Sequence, residues 1–271
     1  MRIALCQMRS GEDVETNVST AERLLLDAAD GGADLAALPE VFTYLGSAAG
    51  RAAAAEPVPG PTTDRLAEIA REREMWVLGG SLIETDGECI YNTSALIDRR
   101  GELVARYRKI HLFDVELPGQ PPFRESATFT PGDQLVTHET DAARIGLSIC
   151  YDLRFPELYR GLMINGAEVL LVPAQFQYET GKDHWEVLLR ARAIENQCFV
   201  VAPAQWGTFG APENGRRSFG SSMAVDPWGL VLVRAPDEGD GVWFADLDMG
   251  ELRRIRQSLP ALQHRRLGLT C

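Results

Sequence analysis

Three polar residues placed where apolar strand-like runs give out, Glu40, Lys109 and Cys150, form a chemically complete set for acyl transfer. A thiolate at Cys150 can attack a carbonyl or nitrile carbon, Glu40 can take the thiol proton, and Lys109 can depress the thiol pKa and hold the developing oxyanion. Each residue alone has an ordinary alternative. A free cysteine is more often a core residue, a lysine at a strand end more often lies along the surface, and a glutamate after a strand can be a solvated loop residue. Other chemistries find less support. The four histidines, His111, His138, His184 and His264, lack metal-ligand spacing and no glycine-rich phosphate loop follows a strand, so no metal or other cofactor is expected. A cysteine protease using His111 or His184 as base is a formal alternative, but Ser148-Ile149-Cys150-Tyr151 matches none of the usual protease surroundings and nothing selects either histidine.

The elements that must position these residues follow from hydrophobic periodicity. Cys150 ends an apolar run over residues 144 to 149, and Pro156 then suits the first turn of a helix, so the thiol is expected at a strand-to-helix junction near a helix dipole. The N-terminus reads as a strand. Asn17 is a plausible cap for a helix carrying Val18, Ala21, Leu24, Leu25, Ala28 and Ala29, which stops at Gly31-Gly32. Residues 35 to 38 read as a buried strand running straight into Pro39-Glu40, residues 48 to 61 as a loop, and the next helix as capped near Thr62 or Thr63. Strands are expected at 76 to 82, 91 to 97 and 102 to 107, the last two joined by Asp98-Arg99-Arg100-Gly101, which puts Lys109 at a hairpin exit. The long apolar-bearing loop that follows, to Gly132, has the composition of a functional segment.

Beyond the cysteine the chain echoes itself. Residues 32 to 42 align without gaps on residues 166 to 176, with Glu40 replaced by Ala174, which suggests two related halves with a carboxylate on one side only. A long helix follows, its buried stripe read as Trp185, Leu188, Leu189, Ala191, Arg192 and Ile194, with Glu186, Arg190, Arg192 and Glu195 pairing at helical spacing. Strands at 198 to 202, 218 to 224, 230 to 233 and 242 to 245 read as ending in a β-meander around Asp226-Pro227-Trp228-Gly229, before a helix over 249 to 258.

Composition narrows the function classes. The 271 residues are 45% hydrophobic and 24% charged, the profile of one globular α/β domain over residues 1 to 271. A formal net charge of −12 makes nucleic acid a poor partner. An odd count of five cysteines (Cys6, Cys89, Cys150, Cys198 and Cys271) argues for a reducing compartment, and the N-terminal strand, which reaches charged sequence by Glu12, is too short for a signal sequence or a membrane span, so a cytoplasmic location is expected.

Taken together, Pro39-Glu40, Tyr107-Arg108-Lys109-Ile110-His111-Leu112-Phe113-Asp114 and Gly146-Leu147-Ser148-Ile149-Cys150-Tyr151-Asp152-Leu153-Arg154-Phe155-Pro156-Glu157 resemble, in order, the signatures of the nitrilase or carbon-nitrogen hydrolase superfamily. The resemblance implies a four-layer αββα sandwich and a homodimer or higher homo-oligomer. It also implies a second glutamate after the lysine, matched by Glu125. The stretches over residues 114 to 120, 184 to 195 and 226 to 229 resemble the amidase branch, which implies a small-molecule amide substrate. In that branch the side-chain amide of a 2-oxo acid derivative is hydrolysed to carboxylate and ammonia. The substrate carboxylate would then meet Arg154, with Tyr151, Phe176 and Thr180 also matching substrate-binding positions and the Tyr151 backbone N–H donating to the oxyanion. Nitrile or N-carbamoyl amine hydrolysis, and a non-catalytic binding module on the same fold, are the alternatives. The stretch from Phe209 to Arg217 is the least typical.

Overall fold

A computed structural model describes residues 1–116, 122–209 and 216–267. Alternation along the first strand, Arg2–Gln7, sets the architecture: Ile3 and Leu5 enter one apolar cluster while Ala4 and Cys6 enter another. Side chains of a strand point to opposite faces in turn, so both faces of this sheet are covered. On one side lie the helices α1 (Val14–Asp30) and α3 (Pro61–Glu72), separated in the chain by the short α2 (Ala48–Ala53). On the other lies a second sheet, whose far face carries α4 (Pro156–Ile164) and α5 (Tyr178–Asn196). The chain closes with α6 (Met249–Ser258). The result is a four-layer αββα sandwich of the nitrilase type.

In the first sheet, Gly241–Asp246, Arg2–Gln7, Leu35–Ala37, Trp76–Leu78, Cys89–Ile97 and Leu82–Asp86 lie side by side, with Leu103–Arg108 also paired to Cys89–Ile97. The second runs Val231–Arg234, Met223–Val225, Phe199–Ala202, Val169–Leu171, Arg144–Leu147 and Thr137–Glu139. The internal echo is topological as well. Leu35–Ala37 sits between two parallel neighbours in one sheet, as Val169–Leu171 does in the other, with Leu35 paired to Ile3 and Trp76 and Val169 paired to Ile145 and Phe199.

Several local expectations are corrected. Helix α1 begins at Val14, capped by the Asp13 carboxylate accepting from Thr16 N–H at 2.7 Å. Asn17 is instead buried inside the first turns, where its amide donates to the carbonyls of Gly11 and Thr43. The alanine-rich stretch is helical because Ser47 caps it, accepting from Gly50 N–H. Helix α3 is capped at Gly60, not at a threonine, although the Thr63 hydroxyl does bond the Gly60 backbone. The last strand leaves the meander and pairs with Arg2–Gln7 in the other sheet. On α5, Trp185, Leu189, Arg192 and Ala193 are buried, whereas Ile194 is 51% exposed, because the helix is apolar on more than the one face that meets the sheet.

The expected strand over residues 76 to 82 divides in two, and its break shapes the site. Gly80 has φ of +36°, and a Cβ there would lie 2.0 Å from the Pro39 carbonyl oxygen. Next to it, Ser81 N–H donates to that same carbonyl and the Ser81 hydroxyl accepts from Val41 N–H at 2.9 Å. The glycine break thus clamps the turn that carries Glu40. Gly80→Ala should destabilise the fold by about 1 to 3 kcal/mol through overpacking and should lower activity by displacing Glu40. Urea unfolding and steady-state kinetics on the same preparation check this, and native values in both would refute the clamp.

Candidate active site

Glu40 leaves the strand Leu35–Ala37 through Pro39 and is followed by Val41 with φ of +47°. Cys150 itself has φ of +46° and begins a tight 3-10 turn, Cys150–Arg154. Positive φ is uncommon outside glycine and costly for a β-branched residue, so both turns hold conformations that the surrounding structure imposes. The expected junction exists with one change. The 3-10 turn intervenes between strand and helix, so α4 begins only at Pro156 and its dipole does not act directly at the sulfur.

The turn is fixed by Asp152, which is fully buried. Its carboxylate accepts from Ile149 N–H at 2.8 Å, Tyr107 O–H at 2.7 Å and His111 N–H at 3.1 Å, so it ties the nucleophile turn to the strand exit carrying Lys109. His111 Nδ1 lies 2.8 Å from the same carboxylate and its ring stacks on Phe155, while His184 Nδ1 faces Arg154 at 3.2 Å. Neither histidine lines the cleft around Cys150.

Lys109, 2% exposed, is the hub. Its Nζ donates to Glu40 Oε1 at 2.9 Å and to Glu125 Oε2 at 2.9 Å and Oε1 at 3.1 Å. Asn92 Nδ2 donates to the same two carboxylates, at 3.0 Å and 3.1 Å. Backbone N–H groups complete the set: Gln175 to Glu40 Oε2 at 2.7 Å and Phe113 to Glu125 Oε2 at 2.6 Å. Burial acts to lower the Lys109 pKa, but the carboxylates of Glu125 and Glu40 outweigh it and raise it well above the ordinary value. The ammonium form is therefore locked in.

The Cys150 thiol is buried and donates to the Gln175 carbonyl at 3.6 Å. Burial, then the Glu40 charge, push its pKa well above the usual thiol value; Lys109 opposes them without winning. Lys109 acts in the expected, lowering direction, but the net shift is upward, which favours the protonated sulfur and suits a base beside it. Backbone partners fix the turn, with Cys150 N–H bonded to Pro173 O at 3.0 Å, while Tyr151 N–H has no backbone acceptor among the described residues.

Two spaces open from the sulfur. A wide cleft of about 560 Å³ contains Glu40, Lys109, Glu125 and Asn92. A narrower one of about 210 Å³ gathers Cys150, Tyr151, Arg154, Phe176 and Thr180, so all four expected substrate-binding positions converge there. The Arg154 guanidinium lies over Phe176 at 5.1 Å and Tyr151 at 5.8 Å, and it pairs with no carboxylate among the described residues. Asn92, Asp152 and Gln175 were not singled out by sequence reasoning. Only Asn92 left a signal, as an amide in a buried strand. Within the atypical stretch Phe209 and Arg216 line the wide cleft, whereas residues 210–215 lie outside the described residues, as do 117–121 of the amidase-like segment and Cys271. Among the described residues no group of three His, Cys, Asp or Glu side chains is placed to hold a metal, and no helix is long and apolar enough to cross a membrane.

This fold and this constellation are those of nitrilase-type hydrolases, and the comparisons agree. The chain belongs to the carbon-nitrogen hydrolase family, whose pattern matches residues 2–257. It is 44% identical to deaminated glutathione amidase from Bos taurus over 98% of this chain and 82% of that protein. It is 38% identical to the Homo sapiens omega-amidase, covering 99% of this chain and 96% of the relative. Among solved structures, the C. elegans NitFhit protein superimposes with a TM-score of 0.88 at 38% identity, over 98% of this chain and 65% of that longer one. The protein is a hydrolase of carbon-nitrogen bonds in linear amides.

Because Glu40 is, after burial, the largest contributor to the raised thiol pKa, Glu40→Gln should lower that pKa while removing the carboxylate beside the sulfur. Alkylation of Cys150 by iodoacetamide should then reach half its limiting rate at a lower pH than in the native protein. Hydrolysis should fall by about 10²- to 10⁴-fold, the usual worth of a general base. An unchanged alkylation profile, or retained turnover, would contradict this account.

Proposed function

We propose that the protein is an amidase for small 2-oxo acid derivatives and that Cys150 forms a thioester with the acyl group. The observation that carries this reading is the convergence on one thiol of a buried Glu40–Lys109–Glu125 cluster and an arginine whose charge no described carboxylate neutralises. Glu40 takes the thiol proton as the sulfur adds to the amide carbon. With the two Glu125 oxygens sharing one hydrogen, the third Lys109 N–H remains for the oxyanion, alongside Tyr151 N–H. Collapse of the adduct breaks the C–N bond, and Glu40 returns its proton to the departing nitrogen. The leaving group is ammonia from a primary amide and an amine from a secondary one. Glu40 then activates water, which hydrolyses the thioester to the carboxylate and regenerates the thiol. Glu125 holds Lys109 in place.

Arg154 would receive the carboxylate of the 2-oxo acid, with Thr180 beside it and Phe176 and Tyr151 supporting the guanidinium. The names of the relatives favour a deaminated glutathione-like substrate, with a 2-oxoglutaramate-like one as the second reading. We further place the protein in the cytoplasm as one domain that forms a homodimer. Supporting assembly are Val187 (65% exposed) and Ile194 on α5, and Trp228 (63% exposed) in the turn whose Gly229 lies against Ile194.

Cys150→Ala should abolish product release from every compound in a panel of deaminated glutathione, 2-oxoglutaramate, glutamine, a simple nitrile and an N-carbamoyl amino acid. Normal turnover by this variant would sink the proposal, and carbon dioxide release would redirect it to carbamoyl substrates. Arg154→Ala should raise KM for 2-oxo acid amides by about 10- to 100-fold, the range for a charge-assisted hydrogen bond. Its kcat should change far less, a split that steady-state kinetics reads directly.

A further inference from the structure

We infer that Arg51 and Arg216 form a second anion-binding subsite on the amine side of the scissile bond, which selects amides whose leaving group carries a carboxylate. The inference rests on the amidase reading above and adds the other end of the substrate to it. An acyl carbon held at Cys150 has two substituents to place. If the acyl carboxylate meets Arg154 in the narrow space, the nitrogen must point into the wide cleft. Proton delivery demands the same direction, since Glu40 lines the wide cleft and not the narrow one. That cleft opens to solvent with room for more than departing ammonia, and two arginines line it.

Among the described residues these arginines have no anion of their own. Both lie against the Phe123 ring, Arg51 Cζ at 5.6 Å and Arg216 Cζ at 4.8 Å from its centroid. Neither pairs with a carboxylate among the described residues, and Arg51 Nε is buried with no hydrogen-bond partner. Glu125 is near enough to Arg51 to be felt, but its oxygens already serve Lys109, Asn92 and Phe113 N–H. Burial pushes both guanidinium pKa values down, and Arg216 adds repulsion to Arg51. Arginine keeps its proton regardless, so the two like charges are relieved by binding a carboxylate between them. Tyr44 also lines this cleft.

The test uses two amides of the distal carboxyl of 2-oxoglutarate that differ in one group. One carries cysteinylglycine as the amine, with a free terminal carboxylate; the other carries the same dipeptide ending in a carboxamide. The native enzyme should prefer the carboxylate-ended amide by at least about tenfold in kcat/KM, given 10- to 100-fold per charge-assisted contact. Arg51→Ala and Arg216→Ala should each cut that preference about tenfold, and Arg51→Lys should retain part of it. A native ratio near one with both amides hydrolysed, or a native ratio preserved in both alanine variants, would overturn the subsite alone. Hydrolysis of neither amide by a native enzyme that still releases ammonia from 2-oxoglutaramate would overturn the subsite alone, whereas failure on all three compounds would overturn the amidase reading and the subsite with it.

Discussion

The arrangement of this site depends on one buried ammonium. Among the described residues Lys109 is the only cation paired with Glu40 and Glu125, two carboxylates that lie close enough to share a donor in Asn92. Removing one partner of such a buried cluster leaves an uncompensated charge, typically at a cost of 3 to 5 kcal/mol. The lysine is therefore a structural requirement of the two-carboxylate site before it is anything else. Its lowering effect on the thiol pKa is outweighed first by burial and then by the Glu40 charge, so Cys150 is held toward the thiol form in spite of an ammonium nearby.

Both chemical termini are then held by backbone in uncommon conformations. Val41 and Cys150 have positive φ, and each is pinned by a neighbouring strand exit: Val41 by Ser81, Cys150 by the Pro173 carbonyl. The second pin comes from the repeat of the first half of the chain, because Pro173 occupies the position of Pro39. The two halves thus contribute unequally. One presents a carboxylate; the other presents Ala174 and the Gln175 N–H that bonds that carboxylate, so the replacement at the echoed position turns a second acid into a support for the first.

How much of this was legible in the sequence follows from where each residue sits. Glu40, Lys109 and Cys150 follow apolar or alternating runs that mark strand ends, and strand ends are where α/β folds gather function. The αββα layering came through resemblance, while the meander was misjudged because strand pairing between distant segments leaves no local trace. Gly241–Asp246 pairs with the N-terminal strand, more than two hundred residues away. Asn92 lay inside a strand, where only the tertiary fold decides which face meets the cleft. Arg51 was hidden in an alanine-rich stretch read as a loop, and its role depends on Phe123 and Arg216, which are remote in the chain. The net direction of the thiol pKa was not legible for another reason: composition shows neighbouring charges but not burial, and burial is the largest influence on it.

The overall charge sharpens what the arginines have to do. A protein of formal net charge −12 repels an anionic metabolite at long range, although screening confines that repulsion to roughly 8 Å at physiological salt. Inside the cleft the balance reverses. Glu40, Glu125 and Lys109 leave one net negative charge beside the reacting carbon, which would disfavour a carboxylate-bearing substrate if nothing offset it. Arg154 on one side of Cys150 and Arg51 with Arg216 on the other supply that offset at a distance from the sulfur. On the proposed mechanism, separating the functions in this way lets the cluster stay anionic enough for Glu40 to act as a base, while the positive charge proposed for recognition lies toward the two ends of the substrate.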